Sequence, residues 1–321
     1  MAPWPIHFAA KLTFSACLLA LGFEVIEFCW PNRPTQRRFR KGWATDAWYL
    51  LFTPLITQNL GRVILAVVLL ALCWLAGIPL NSQVWLRGWG PVSRLSYFAQ
   101  ASLVLVVGDF VGYWTHRLFH RDLWPIHAIH HSSEEMDWLS TVRLHPLNDF
   151  LGSLMRGLPF VLTGFAPVLL ASFLPLLAIH AFLLHANVKW SFGPFRYVIT
   201  SPVFHRWHHS AHAEARDKNF AGLFPLWDIL FGTFYMPAAS RPQYVGVPEA
   251  GVPEAFLGQV LYPLRARSGR ARGHLYHPAA NLPAATNSDR TGGPDTDLRV
   301  ERRQYQVFSR IDPPSERCKL Q

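Results

Sequence analysis

The segment 62–80, RVILAVVLLALCWLAGIPL, restricts the fold most, because only its first residue is charged. A helix of about 20 apolar residues crosses the hydrocarbon core of a bilayer. Similar apolar segments cover residues 8–30, 96–115 and 150–187, the last of them interrupted near Pro167. Hydrophobic residues make up 50% of the chain, more than an ordinary soluble domain requires. The sequence therefore predicts an all-α, polytopic integral membrane protein.

The first apolar segment leaves an alternative open. Residues 8–30 include Lys11, Glu24 and Glu27, so a cleaved signal peptide competes with a membrane helix. No clear basic region precedes the apolar run, and no small-residue cleavage site follows it before the next loop. We therefore interpret it as a first helix, and we expect residues 46–60 to form an interfacial segment that leads into the second span.

The net charge of +10 could suggest nucleic acid binding, but much of the basic charge lies in the loop 31–45 and beyond residue 264. The loop 31–45 contains Arg33, Arg37, Arg38, Arg40 and Lys41, whereas the loop 81–95 contains only Arg87 and Arg94. Cytoplasmic loops of membrane proteins carry an excess of Lys and Arg. We therefore predict no nucleic acid partner, and a cytoplasmic position for the first loop and for the segment after the third span.

Composition divides the chain into three parts. Residues 1–95 are predicted to form N-terminal membrane helices and loops, and residues 96–264 a histidine-rich helical domain that caps them. Residues 265–321 contain few apolar side chains, so we expect a disordered tail. The four cysteines form no close pair, which argues against both a disulfide framework and a cysteine-ligated zinc site.

Twelve of the fifteen histidines lie between residues 116 and 212. HAIHHS at 127–132 and HRWHHS at 205–210 repeat one spacing, and HRLFH at 116–120 places two histidines four residues apart. On a helix, residues at i, i+3 and i+4 share one face, so each motif is expected to form a one-face cluster. Asp122 and Pro125 precede the second motif, and Ser201 with Pro202 precedes the third, as expected before a helix.

Packing imidazoles together is costly when they are protonated, whereas a metal ion uses the neutral form as its ligand. Eight imidazoles exceed the needs of one ion, so the pattern predicts two metals, and Fe, Zn, Cu and Ni all suit such ligands. The eight are His116, His120, His127, His130, His131, His205, His208 and His209.

Further polar residues near these motifs are candidates for the site. His180 and His185 are five residues apart, so they share a site only where the helix is distorted or ends; His145 and His212 stay undecided. Asp109 and Tyr113 lie on the same helix face as His116 and His120, and we expect Asp109 to orient His116. For Arg117 and Arg206, contact with lipid headgroups or the surface is the favoured role.

The motifs DFVGYWTHRLFH, HAIHHSSE, RLHPLND, HANVKWSFGP, SPVFHRWHHS and DKNFAGLFPLWDILFGTFYMP occur in order over roughly residues 95–240. Together they resemble the fatty acid hydroxylase superfamily, particularly its bacterial sterol desaturase-like members. The resemblance implies a membrane enzyme with a di-iron centre that faces the cytoplasm. In a bacterium, such an enzyme would lie in the inner membrane. Such an enzyme hydroxylates or desaturates a lipid with dioxygen.

By motif position, the resemblance implies that the eight histidines above bind two iron ions, with His185 and possibly His180 completing the site. Zinc could replace iron on overexpression. The sequence lacks a G-x-G-x-x-G nucleotide motif and a C-x-x-C-H haem motif, so an external ferredoxin or cytochrome with its reductase is expected to supply electrons.

Two other classes of protein compete with this interpretation. A zinc-dependent membrane hydrolase would use similar histidines, but its H-E-x-x-H base motif is absent from the sequence. A metal transporter would place its ligands at mid-membrane depth within several spans, whereas these motifs follow the spans. The lipid oxygenase is therefore the favoured prediction.

Overall fold

The computed structural model describes residues 4–237, 240–242, 244–247 and 251–267, all within one compact unit, Met1–Ala280. Helices dominate these residues, and their β pairing is limited to two isolated bridges, Pro31 with Val188 and Ser210 with Val245. This confirms the predicted all-α class. The predicted tail lies almost entirely outside the described residues, and the division into three domains stays a prediction.

Eleven α-helices are described in chain order: α1 (Trp4–Cys29), α2 (Trp43–Phe52), α3 (Gln58–Leu75), α4 (Ser82–Arg87), α5 (Tyr97–Arg121), α6 (Trp124–His131), α7 (Pro146–Thr163), α8 (Pro167–His185), α9 (Pro202–His208), α10 (Leu226–Leu230) and α11 (Phe256–Arg267). A π-helical turn, Thr53–Thr57, joins α2 to α3 without a break. Short 3-10 helices occupy Trp138–Val142 and Gly193–Tyr197.

Among the described residues, three helical segments are long and apolar enough to cross a membrane: Trp43–Leu75, Tyr97–Arg121 and Pro167–His185. Large apolar side chains stay exposed along them, including Val67 at 57% and Leu176 at 61% exposure. A surface of this kind suits contact with lipid. Residues 46–60, predicted to lead into the second span from the interface, are continuous with it, because the π-helical turn keeps the backbone hydrogen-bonded.

The apolar stretch 150–187 forms two helices, as predicted. Gly164 follows the last residue of α7 and has a left-handed backbone (φ 84°), which glycine adopts without steric cost. α8 begins at Pro167. α7 packs against both α3 and α5. A polar end of the molecule, formed by α6, α9 and the C-terminal ends of α5 and α8, carries the histidine motifs.

Two charged groups, Glu27 and Arg40, hold this polar end together. Glu27 of α1 accepts hydrogen bonds from the backbone N–H groups of Trp138 (2.8 Å) and Asn187 (2.9 Å). Arg40, expected as a surface charge of the basic loop, is buried and bonded to Asp46 (2.6 Å) and Asp137 (2.5 Å). Two carboxylates compensate the buried guanidinium, so Arg40 fixes the loop to α2.

Candidate metal centre

Nine histidines meet at the polar end in two adjoining groups. In each group the ring nitrogens lie within 4.8 Å of one another. The first group consists of His116, His120, His127, His131 and His208, and the second of His130, His185, His205 and His209. The rings of His131 and His209 stack with their centroids 4.3 Å apart, so the two groups touch.

The repeated motif is divided between the groups. In HAIHH, His127 and His131 join the first group and His130 joins the second; in HRWHH, His205 and His209 join the second group and His208 the first. The three histidines that were expected to share one helix face therefore do not all join one group. Residues i and i+4 are about 40° apart around a helix, whereas i+3 and i+4 are about 100° apart, so the adjacent histidines point to different groups. Each motif supplies two ligands to one group and one to the other.

The local sequence explains where these helices start. The Ser201 side chain accepts a hydrogen bond from the Phe204 N–H (3.1 Å) and Pro202 follows it, as predicted for the start of α9. Asp122, in contrast, follows the last residue of α5 and caps no helix start; α6 begins at Trp124 with Pro125 in its first turn.

The hydrogen bonds on the outer ring nitrogens set the protonation of the imidazoles. His116 Nδ1 faces the Phe220 carbonyl (2.8 Å), His127 Nδ1 the Asn148 amide oxygen (2.8 Å) and His208 Nδ1 the Lys218 carbonyl (2.8 Å). These oxygens accept hydrogen bonds only, so each Nδ1 is the donor. The Nε2 atom of each ring is then an unprotonated acceptor directed into the first group.

Acceptors consequently face acceptors. His116 Nε2 lies 3.2 Å from His127 Nε2. In the second group, His130 Nε2 lies 3.3 Å from His185 Nε2, and their Nδ1 atoms donate to the carbonyls of Arg143 and Ala181. Two neutral imidazoles with opposed lone pairs cannot form a hydrogen bond with each other. A shared cation would turn this repulsion into ligation.

The spacing fits a metal as well. Two nitrogens that each lie about 2.0–2.1 Å from one ion are about 2.8–3.4 Å apart at octahedral or tetrahedral angles. The facing Nε2 pairs measure 3.1–3.3 Å. His208 Nε2 is buried and has no hydrogen-bond partner among the described residues, which leaves it available as a ligand. The donor set therefore suits metal ions in both groups.

Burial keeps these imidazoles neutral. The pKa values of six of them outside the candidate spans fall well below the usual value, first because burial disfavours the charged form and then because neighbouring rings repel a second charge. The six are His127, His130, His131, His205, His208 and His209. Neutral imidazole is the form that binds a metal.

Within the segment 116–212, three other histidines lie outside both groups. His180 Nε2 is 2.9 Å from the Thr200 hydroxyl, because five residues separate it from His185 and turn it away. His145 precedes α7 and accepts a hydrogen bond from the Leu147 N–H (3.1 Å). His212 packs against the rings of Trp207 and Tyr244.

Asp109 and Tyr113 support the site through the segment 220–233 and do not contact His116. The Asp109 carboxylate accepts from the N–H groups of Gly222 (3.1 Å), Leu223 (2.8 Å) and Phe224 (2.7 Å). The Tyr113 hydroxyl pairs with the Thr233 hydroxyl (3.0 Å). The expected contact between Asp109 and His116 is wrong. The His116 Nδ1–H donates to the Phe220 carbonyl instead, and the Asp109 carboxylate accepts from the three backbone N–H groups.

Sequence reasoning overlooked three residues around the histidines. Asn148 orients His127, and Asp217 lies 3.3 Å from His120 Nδ1. Asp228 is buried and accepts from the N–H groups of Phe220 and Ala221, both at 2.8 Å. All three belong to motifs quoted above, RLHPLND and DKNFAGLFPLWDILFGTFYMP, so acidic or amide residues within those motifs were the available signal.

Arg206, for which surface contact was favoured, is instead fully buried in α9. Its guanidinium donates to the Ala186 carbonyl (3.1 Å), just after the end of α8. Burial lowers the pKa of Arg206 to about 10. The side chain thus ties the helix that carries three ligands to the helix that carries His185.

The fold and the site define a helical membrane protein with a buried, histidine-rich metal site. Residues 101–233 match the fatty acid hydroxylase family. The resemblance recognised in the sequence is confirmed. No solved structure matches the chain.

Three relatives illustrate the range of similar proteins. An ornithine lipid hydroxylase of Rhizobium tropici is 35% identical over 53% of this chain and 52% of its own length. Human alkylglycerol monooxygenase is 33% identical over 39% of this chain and 28% of its own. A tobacco Delta(7)-sterol-C5(6)-desaturase is 25% identical over 54% and 66%. The chain therefore spans about half of the first relative and little more than a quarter of the second.

Proposed function

We propose that this protein is a membrane-bound oxygenase that hydroxylates or desaturates a lipid with dioxygen and external electrons. The observation that carries the proposal is the pair of adjoining histidine groups, in which unprotonated Nε2 atoms face one another. The family match supports this reaction class, and so do the three relatives, which are named as a lipid hydroxylase, an alkylglycerol monooxygenase and a sterol desaturase.

Two iron ions, one per histidine group, are the proposed cofactor, and when bound they would supply the redox chemistry that dioxygen requires. The chain contributes the rest. Buried Nδ1–H donors bonded to Phe220, Asn148 and Arg143 hold the rings of His116, His127 and His130 in one tautomer, so little reorganisation accompanies metal binding. Burial also excludes water from the reacting atoms.

The proposed substrate is a membrane lipid: a sterol, a fatty acyl chain or an ether lipid. The histidine groups occupy the ends of two candidate spans, α5 and α8, so a lipid can approach from the bilayer without leaving it. We further propose several membrane passes, with the loop 31–45 and the metal site on the cytoplasmic side of a bacterial inner membrane. A ferredoxin or a cytochrome with its reductase would deliver electrons there.

The zinc hydrolase remains the competing function. Both classes need a histidine-bound metal, but hydrolysis needs neither dioxygen nor electrons. Within the residues that the structure describes, no glutamate joins either histidine group, so the hydrolase lacks the general base that its mechanism expects. This favours the oxygenase.

The decisive experiment supplies the iron-loaded protein with a reductase system and labelled dioxygen, and follows membrane lipids by mass spectrometry. Hydroxylation should place one labelled atom in the product, whereas desaturation should consume dioxygen and leave the product unlabelled. His130→Ala and His209→Ala, one ligand removed in each case, should abolish turnover, and His145→Ala is the matched control outside both groups. Lipid turnover that continues without dioxygen and reductant would refute the oxygenase and support the hydrolase.

A further inference from the structure

Arg156 is a charged side chain in an otherwise apolar part of α7. It lies ten residues into the helix, about 15 Å from its start, and α7 packs there between the candidate spans α3 and α5. Its neighbour Gly157 faces Leu65 of α3 closely. A cation among membrane helices is costly to maintain and is a candidate functional residue.

The guanidinium occupies a space that two glycines leave open. A methyl group placed on Gly152 would lie 3.2 and 3.4 Å from its two terminal nitrogens, and one on Gly112 of α5 would lie 3.8 Å from its Cδ atom. Among the described residues, Arg156 donates no hydrogen bond and forms no ion pair within 4 Å, and its side chain is exposed. The carboxylate of Asp149, which accepts a hydrogen bond from Thr57 (2.6 Å), attracts the guanidinium at longer range. Its five N–H donors are therefore accessible to a ligand.

A second polar group without a hydrogen bond lies on α5, the helix that packs against α7. Thr115 is 1% exposed, and its hydroxyl has no hydrogen-bond partner among the described residues. Residues 112, 115 and 119 lie three and four apart, so Thr115 shares a helix face with Gly112 and Phe119. A methyl group on Gly112 would contact the Arg156 Cδ atom, and the methyl position on Gly152 that borders the guanidinium also borders Phe119. A buried hydroxyl without a partner is unfavourable unless a ligand or water satisfies it.

One aromatic ring separates this space from the metal site. The methyl position on Gly152 that borders the guanidinium is also 3.5 Å from the Phe119 ring. Phe119 in turn stacks on His127 of the first histidine group, with ring centroids 5.7 Å apart and planes at 15°. A group held by Arg156 would therefore lie within one side-chain layer of the metal ligands.

We propose that Arg156 and Thr115 bind the anionic group, a carboxylate or a phosphate, of the lipid on which the enzyme acts. Arg recognises such groups through two parallel N–H donors, and the Thr115 hydroxyl adds a third. That this lipid is the substrate rests on the proposed oxygenase function. Because the anion would lie so close to His127, the oxidised carbon should be within a few bonds of the anionic group and not at the far end of an acyl chain.

The test measures binding by the purified full-length, metal-loaded protein in a neutral detergent, without reductant. Laurate, dodecyl phosphate and dodecanol serve as probes of equal chain length, and the two anions distinguish a carboxylate from a phosphate ligand. Wild type should bind at least one anion about 10–100-fold more tightly than dodecanol, as expected for charge-assisted hydrogen bonds. Arg156→Met should reduce that preference to within about threefold, with dodecanol affinity and metal content unchanged.

Arg62→Met is the matched control, because Arg62 also lies on an apolar helix but is already bonded to Asn59 and Gln58. Thr115→Val should weaken anion binding by up to about tenfold. Arg156→Lys keeps the positive charge and should show an anion preference between those of wild type and Arg156→Met. If Arg156→Met loses its metal, the lysine variant provides the test of anion binding. A wild type without anion preference, or Arg156 variants with an unchanged one, would overturn the proposal.

Oxygen consumption of the same preparations, measured separately with reductant, distinguishes this failure from failure of the proposed function. Anion preference without any lipid oxidation would refute the oxygenase and retain an anion site. Lipid oxidation without anion preference would refute the anion site and retain the oxygenase.

Discussion

At the scale of single residues, the site depends on which nitrogen of each imidazole holds the proton. The oxygen acceptors at Phe220, Asn148, Lys218 and Arg143 keep the proton on Nδ1 and leave Nε2 free for a metal. Asn148 is the side chain among them that can be replaced without altering the backbone.

Asn148→Leu should therefore lower metal affinity by about 10–100-fold, because His127 loses the acceptor that fixes its tautomer and orientation. Asn148→Asp keeps an oxygen acceptor and should retain most of the affinity. Competition with a chelator measures both, and Asn59→Leu on the exposed side of α3 is the control. Equal metal retention in Asn148→Leu and wild type would contradict the role of Asn148.

The lowered pKa values of the buried histidines predict how stability depends on pH. In the unfolded chain a histidine titrates near pH 6.5, whereas His127, His130 and His209 in the fold stay neutral to much lower pH. Below about pH 6.5 the unfolded state binds more protons, so metal-free protein should lose stability progressively as the pH falls. Above that pH the contribution is constant.

Thermal unfolding of the chelated protein in neutral detergent, from pH 8 to pH 5, measures this loss. Metal-loaded protein is the comparison, because the ion holds the imidazoles in their neutral form and should resist acidification further. An unfolding temperature that is independent of pH in the chelated protein would argue against buried neutral imidazoles.

At the scale of elements, the segment 219–224 connects the candidate spans to the histidines. Asp109 of α5 and Asp228 of α10 accept its backbone N–H groups, and its Phe220 carbonyl orients His116. The segment has no regular secondary structure of its own. Two carboxylates therefore accept five consecutive N–H groups of the segment, those of residues 220–224.

Asp109→Asn should destabilise this segment by about 1–3 kcal/mol, because an amide offers one acceptor oxygen where the carboxylate offers two. We expect a lower unfolding temperature and weaker metal retention together, since His116 loses its fixed partner. Asp122→Asn, at the exposed end of the same helix, should change neither. Loss of activity with unchanged metal retention and stability would indicate that Asp109 acts directly in the reaction.

The histidine spacing predicted the helices and the ligand types, but not the assignment of ligands to groups. Spacing places His130 and His131 next to each other, whereas their directions differ by about 100° and lead to different groups. Backbone carbonyls at residues 143, 218 and 220 orient three of the rings, and a carbonyl carries no signature of residue type. Arg40 and Arg206 were misjudged for a related reason, since composition does not reveal which charges find buried partners.

At the scale of the whole molecule, the orientation in the membrane is open to a direct test. The excess of basic residues in the loop 31–45 predicts that this loop and the histidine motifs face the cytoplasm. Arg87 and Glu134 are exposed and lie on opposite sides in that arrangement. Arg87 precedes the candidate span Tyr97–Arg121 and Glu134 follows it, and neither residue belongs to a histidine group.

Single-cysteine variants Arg87→Cys and Glu134→Cys should therefore behave differently toward an impermeant thiol reagent. The reagent should label position 87 in intact cells and position 134 only after the membrane is permeabilised. A cysteine-free variant controls for background labelling. The reverse pattern would invert the proposed orientation and place the electron donor on the other side of the membrane.

The order of the ligands along the chain also sets the order of biosynthesis. Four of the five ligands of the first group are synthesised by residue 131, but its fifth, His208, and two ligands of the second group, His205 and His209, arrive with α9. The first group is complete once residue 208 has been synthesised, and the second once residue 209 has been. A nascent chain that ends before residue 208 would present His116, His120, His127 and His131 as an incomplete chelator, so the proposed metal ions would have to bind after residue 209 has been synthesised.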